Sequence, residues 1–233
     1  MQKDSILNII LVGIGLCTIC GAVISTVAVS LKDQQEQNVI FDQQSKIIDA
    51  ARLLEFYPSS IEALESIKEV IVDLNDGQPS DYPSDQYDLD TILRDSSQHK
   101  VLNGADDIAM ISVRENISKV FIEYRNNEFK TLILPVRGYG LWGTLYGYLA
   151  LDSDLNTIVG LEFYKHKETP GLGAEVDNPN WKKLWNGKKV YDENGLVQIE
   201  VIKGFSNPGS EEYSYEVDGL SGATITSKGV SNL

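Results

Sequence analysis

Histidine and cysteine are scarce in this chain, two of each among 233 residues. His99 and His166 stand far apart, and no His/Cys/carboxylate cluster has the ligand spacing of a zinc site. A Ser-His-Asp triad needs a well-placed histidine beside a nucleophile, and neither position offers one. Metal-assisted and triad hydrolysis are set aside, and no catalytic or metal-binding residue is assigned. Both cysteines, Cys17 and Cys20, fall in one apolar stretch near the N-terminus. C-x-x-C spacing suits redox or metal pairs only in an electropositive, partly exposed setting. Here it reads as two small apolar residues one helical turn apart. The remaining chain has no cysteine, so disulfides contribute nothing to its stability, which fits either side of a membrane.

Positive charge is also in short supply, with 20 Lys+Arg against 34 Asp+Glu and a net charge of -14. Lys3 and Asp4 are the only charges before Lys32, so residues 32–233 hold 19 basic and 33 acidic side chains. Such a surface repels phosphate backbones and anionic headgroups, which excludes nucleic acid as a partner. At 42% hydrophobic and 23% charged, the chain suits one globular domain plus an extra piece. Collagen-like, coiled-coil and disulfide-framework classes are excluded.

The extra piece is defined by missing charge. Ile6 to Leu31 is 26 residues without one, about 39 Å as a helix against about 30 Å of bilayer hydrocarbon. A secretory signal has an apolar region of only about 7–15 residues. Ala28-Val29-Ser30 loosely resembles a cleavage site, but the length favours an uncleaved transmembrane anchor over residues 1–32. Gly13, Gly15, Ala22 and Ser25 would let another helix approach closely, as in a membrane complex. Lys3 and the amino terminus precede the span, and Lys32, Lys46 and Arg52 follow it. The positive-inside rule is therefore silent or mildly adverse to an outward-facing domain.

Residues 33–116 are expected to be a helical membrane-proximal region with an acidic loop. Ile40, Ile47, Ala51 and Leu54 recur at helical spacing up to Pro58. Ser59 and Glu62 have capping-box spacing, and Ile61, Leu64, Ile67, Ile71 and Leu74 form a stripe ending at Gly77, which predicts a second helix. Gln78 to about Asp90 reads as a surface loop. Residues 117–233 are β-rich. Val120–Tyr124 and Lys130–Leu134 flank an Asn126-Asn127 turn, Tyr146–Leu151 and Thr157–Tyr164 flank an Asp-rich one, and Val197–Ile202 follows Asn194-Gly195. A short helix is predicted from Asn178 to Trp185, before Gly187. The expected fold is α+β: an N-terminal transmembrane helix, then a domain with an antiparallel or mixed sheet and flanking helices.

Four motifs bear on function. Gly138-Tyr139-Gly140-Leu141-Trp142-Gly143 has the G-x-G-x-x-G spacing, but strand residues follow it instead of a helix, so a dinucleotide site is rejected and a close-packed corner remains. Asp152-Ser153-Asp154 begins like a calcium loop, yet Thr157 and Phe163 occupy the required Gly and Glu positions, which leaves a turn. His166-Lys167-Glu168-Thr169-Pro170-Gly171-Leu172-Gly173 reads by pattern as a strand running into a Pro-Gly turn. Asp218-Gly219-Leu220-Ser221-Gly222-Ala223-Thr224-Ile225-Thr226-Ser227 crowds small residues and hydroxyls before a possible helix start, which suits an N-cap or an anion site.

The last segment resembles the flavinylation motif Asp-x-x-Ser/Thr-Gly-Ala-Thr, with Asp218, Ser221, Gly222, Ala223 and Thr224 matching in register. With Leu31-Lys32-Asp33, Asp42–Ile47, the Arg137–Tyr146 corner and His166–Gly173, nearly the whole chain is similar to the NqrC family, a flavoprotein subunit of the Na⁺-translocating NADH:quinone reductase. That resemblance implies FMN, joined as a phosphoester to Thr224 by a flavin transferase. Thr226 and Ser227 are rival hydroxyls, and the resemblance alone selects Thr224. It also implies that Glu168, Thr169, Gly171, Leu172 and Gly173 border the flavin, with Gly140, Leu141 and Trp142 as further candidates. The implied setting is the periplasmic face of the bacterial inner membrane, among other membrane subunits of a Na⁺-pumping complex that passes electrons toward quinone. NADH oxidation is not encoded in this chain, which holds no complete active site alone. The family pattern continues past the motif with a helix near the flavin, so a chain stopping at Leu233 is expected to supply less of that side. Two other readings stand beside this one: an Rnf-type flavoprotein subunit, which shares the motif, and a membrane-anchored adaptor without cofactor.

Overall fold

The structure is a computed structural model that describes residues 6–233; Lys3 and the amino terminus lie outside the described residues. The chain divides between Gln43 and Gln44 into two units. The first belongs to helix α1 (Ile6–Ala50), long and apolar enough to cross a membrane, with no part of its apolar stretch buried by protein. Its hydroxyls turn back onto the helix. Thr18 Oγ1 donates to the Ile14 carbonyl at 2.8 Å, Thr26 Oγ1 to Ala22 at 2.8 Å, and Ser30 Oγ to Val27 at 2.9 Å. Each donor is thereby satisfied within the helix, as hydrocarbon surroundings demand.

The second unit is built on a five-stranded antiparallel sheet. Its strands are β1 (Ile67–Asp73), β4 (Ile117–Arg125), β5 (Glu128–Tyr139), β6 (Thr144–Asp152) and β7 (Ile158–Lys165), adjacent in the order 1-4-5-6-7. Between β1 and β4 run helix α3 (Leu89–Arg94) and the pair β2 (His99–Val101) and β3 (Val113–Glu115). After β7 come α4 (Pro179–Lys182), the short parallel pair β8 (Glu200–Val201) and β9 (Glu216–Val217), and α5 (Thr224–Ser231). Alternation along the strands gives the sheet two buried faces. Phe121, Ile133, Tyr148 and Ala150 pack on Ile47, Ile48, Ala51 and Leu53. Leu145, Leu161 and Phe163 pack on Trp181, Trp185, Val217, Leu220 and Val230. The expected strand pairs, the Asn178–Trp185 helical turn and the unburied 78–90 loop are all present.

Three expectations are corrected. The helix predicted from Ser59 to Gly77 is only α2 (Ser60–Glu65), although its cap forms, with Glu62 N–H donating to Ser59 Oγ at 3.3 Å. The chain then enters β1, with Ile67 opposite Glu123 and Asp73 opposite Ile117. The β-branched run Ile67, Val70, Ile71, Val72 fits the open edge of β4 better than a lone helix, so tertiary pairing overrides the stripe. The membrane-proximal helix ends at Ala50 rather than at Pro58, because Arg52 takes a φ of 52° and starts a 3-10 turn at Leu53–Glu55. Ile47 and Ala51 are buried as the stripe requires, whereas Leu54 points outward. The strand predicted over Val197–Ile202 shrinks to β8, since exposed Leu196 and Val197 find no sheet to join.

Candidate functional site

Two short turns face each other at one end of the second unit. In Thr169-Pro170-Gly171-Leu172 the Leu172 amide donates to the Thr169 carbonyl at 3.1 Å, and Gly171 has a φ of 75°. In Leu220-Ser221-Gly222-Ala223 the Ala223 amide donates to the Leu220 carbonyl at 3.2 Å, and Gly222 has a φ of 71°. Both fit the type II pattern, in which the third residue needs the left-handed region that glycine tolerates. The turns meet, for a Cβ on Gly222 would lie 3.1 Å from Leu172 Cδ2.

Beneath them lies Glu168, only 6% exposed. One oxygen accepts the Trp142 amide at 2.9 Å, and the other accepts the Thr226 hydroxyl. Its own amide donates to His166 Nδ1 at 3.1 Å, so Nε2 carries the ring proton toward Asp177 Oδ2 at 2.7 Å. The carboxylate fills space that two glycines leave open. A Cβ on Gly173 would lie 2.5 Å from Glu168 Oε2, and one on Gly140 would lie 2.7 Å from Oε1. Glu168 therefore ties the β5–β6 corner, the loop after β7 and α5 together, and is itself covered.

Helix α5 is fixed by backbone proximity. A Cβ on Gly138 would come 2.7 Å from the Gly229 carbonyl, and one on Gly229 would come 2.3 Å from the Tyr139 carbonyl. The Gly-rich corner is thus a close approach of β5 to a helix, as the sequence allowed. Ser227 Oγ accepts the Leu220 amide at 3.1 Å and Ser231 Oγ accepts that of Val201 at 2.6 Å.

Three hydroxyls compete for notice at this helix start, and burial separates them. Thr226 is fully buried and Ser227 is 5% exposed, both engaged as above. Thr224 is exposed, at the first helical position after Ala223, which supplies no side-chain cap. The first amides of α5 are therefore available to an anion. Around Thr224 the surface is apolar: Trp142 is 61% exposed and Ile225 58%, with Leu141 and Leu172 also exposed. On another side opens a cleft of about 310 Å³, walled by Thr224, Leu220, β8 and the residues after it.

Asp218 is not a free surface carboxylate. Its Oδ1 accepts the Ser206 amide at 2.8 Å and hydroxyl at 2.7 Å, and its carbonyl accepts Trp181 Nε1–H at 2.8 Å. Nearby, burial holds the Lys188 ammonium below its ordinary pKa, while Asp218 and Glu216 oppose that shift. Thus Thr169, Gly171, Leu172, Ser221, Gly222 and Thr224 gather at one exposed rim, with Gly173, Glu168 and Ala223 beneath it. Thr226 and Gly229 were not anticipated as supports, since no local pattern announces a partner on another element.

The chain is 44% identical over 237 residues to the Na⁺-translocating NADH-quinone reductase subunit NqrC of Pseudomonas aeruginosa, spanning 100% of this chain and 91% of that one. It belongs to the NqrC family. The same subunit from Vibrio vulnificus is 40% identical, with 98% and 89% of the two chains covered. Residues 140–233 match the FMN-binding domain family. Among solved structures, Shewanella oneidensis NqrC superposes with a TM-score of 0.72 at 31% identity over 80% of this chain and 86% of that one. The counterpart from Parabacteroides distasonis gives 0.64 at 30% identity over 86% and 89%. These NqrC structures share the antiparallel sheet domain, and the family match begins at Gly140, where the glycine corner meets Glu168.

Proposed function

We propose that this chain is the membrane-anchored flavoprotein subunit of a Na⁺-translocating NADH:quinone reductase, relaying electrons through FMN esterified to Thr224. The observation that carries the reading is the exposure of the Thr224 hydroxyl at an uncapped helix start, while Thr226 and Ser227 are buried and bonded. FMN, when bound, supplies reversible electron transfer that no side chain of this protein offers.

The residues fit that group. The amides of the first turn of α5 face the phosphoryl position and compensate its charge. Gly222 keeps the preceding turn free of side-chain bulk, and Leu172, Trp142 and Ile225 offer apolar surface for a planar ring. Glu168 does not reach that surface; it positions the Trp142 amide and α5. Asp218 anchors the 204–206 loop and sets the register from which a flavin transferase would select Thr224. The ester fixes the cofactor, which suits a stationary relay between other membrane subunits.

In this reading α1 crosses the inner membrane and the second unit stands on the periplasmic side. The relatives named above favour NqrC over an Rnf-type protein, and the FMN-binding match favours either over an adaptor. The test is a mass measurement on the chain co-produced with a flavin transferase. FMN mapped to Thr224 is expected; an unmodified chain, or FMN on Thr226 or Ser227, would refute the assignment.

A further inference from the structure

The cleft beside Thr224 holds the cations that the rest of the domain lacks. Residues 32–233 carry 19 basic against 33 acidic side chains, so a phosphodiester on this surface meets a repulsive field unless a local charge reverses it. Lys228 and Lys203 both line the cleft, with Thr224 on its wall and Glu200 the acidic side chain among the lining residues. Lys228 follows Thr224 by four residues on α5, so the two share one helix face. Among the described residues neither lysine has an ion-pair partner, and both are exposed. Thr224 is where the proposed ester would put one negative charge.

We propose that Lys228, seconded by Lys203, is the positioning cation for the phosphodiester on Thr224. The inference rests on the attachment proposed above and adds to it. Helix amides compensate the phosphate from the axial direction, and the Lys228 ammonium compensates it from the cleft side. With both oxygens held, the phosphodiester keeps one orientation, and the cofactor chain leaves Thr224 in one direction. A lysine suits the task as a compact point charge on a flexible stem.

The test compares the full-length chain co-produced with a flavin transferase and its Thr224→Val counterpart. Both are treated with limiting acetic anhydride, and lysine acetylation is mapped by mass spectrometry. Lys228 is expected to react about fivefold more slowly in the loaded protein, the protection of a modest exposed ion pair. Exposed Lys68 and Lys183 should react alike in the two proteins. Equal Lys228 reactivity, with FMN mass found on Thr224, overturns the proposal. A wild-type chain without that mass overturns the attachment itself and the proposal with it, so the two failures are distinguishable. Lys228→Gln and Lys228→Arg give a second measurement on loaded protein. The phosphorus-31 resonance should move in the glutamine variant and return toward wild type in the arginine variant. An unmoved resonance in Lys228→Gln also rejects the role. Should the glutamine variant fail to load, the acetylation comparison decides alone.

Discussion

The Thr226 hydroxyl donates to the buried carboxylate of Glu168, joining the last helix to a loop 58 residues earlier in the chain. Two residues before it, Thr224 presents the same functional group to solvent. One hydroxyl holds the site together and the other is free for chemistry.

Replacing each should separate the roles. Thr224→Val is expected to give a normally folded, colourless protein, because it removes an exposed hydroxyl. Thr226→Val is expected to keep its flavin but lose about 1–3 kcal/mol of stability, since a buried Glu168 oxygen loses its donor. Flavin fluorescence of the denatured band and the urea midpoint measure the two effects. A fluorescent Thr224→Val band would reject the site.

Gly173 and Gly171 are two residues apart but should respond differently to alanine. A Cβ at Gly173 would lie 2.5 Å from Glu168 Oε2 and 2.6 Å from Thr226 Oγ1. Displacing that pair should cost about 1–3 kcal/mol or more. At Gly171 there is open space and only a φ of 75° to oppose a side chain, a penalty of about 1–2 kcal/mol. Gly173→Ala should therefore be the less stable by thermal midpoint. The reverse order would show that the Glu168 bracket does not form.

Leu172 is 45% exposed and touches the Gly222 turn. Leu172→Ala should alter the visible flavin spectrum or midpoint potential while FMN stays on Thr224, because the ester is remote from the ring. An unchanged spectrum and potential would place the ring on another surface.

Alkaline stability should fall in a defined window. Burial, aided by the Glu115 carboxylate, pushes Tyr87 from 10.0 up to about 12, and burial also raises Tyr148 and Tyr164. Between those values the folded state holds protons that the unfolded chain has released, so stability is intact below pH 10 and declines as pH rises through about 12. Tyrosinate absorbance should show late-titrating groups among the 11 tyrosines, released together with unfolding. Complete titration near pH 10 in folded protein would contradict this.

Protease access reads the orientation. With the second unit on the periplasmic side, external protease should cut it in spheroplasts. Protection until lysis would reverse the topology.

What the sequence made legible follows from the range of the forces involved. The anchor, the three strand pairs around short turns and both glycine turns depend on residues close in sequence, and all were readable. The β1 strand was not, because Ile67, Ile71 and Leu74 satisfy a helical period as well as an edge strand, and only β4 decides between them. The motif pointed to Thr224 by resemblance, with no physical ground for passing over Thr226 or Ser227. That ground is burial, created by Glu168 and Leu220 from other parts of the chain. Glu168 was expected beside the cofactor, whereas its carboxylate is consumed by Trp142 and Thr226 beneath the surface.

The contact between Gly138 and Gly229 has a consequence for maturation. Helix α5 is already seated on β5 while Thr224 lies open to solvent. Under the proposed attachment, loading then needs no unfolded or nascent chain. The finished domain is itself the transferase substrate, and cofactor supply and protein synthesis can run on separate clocks.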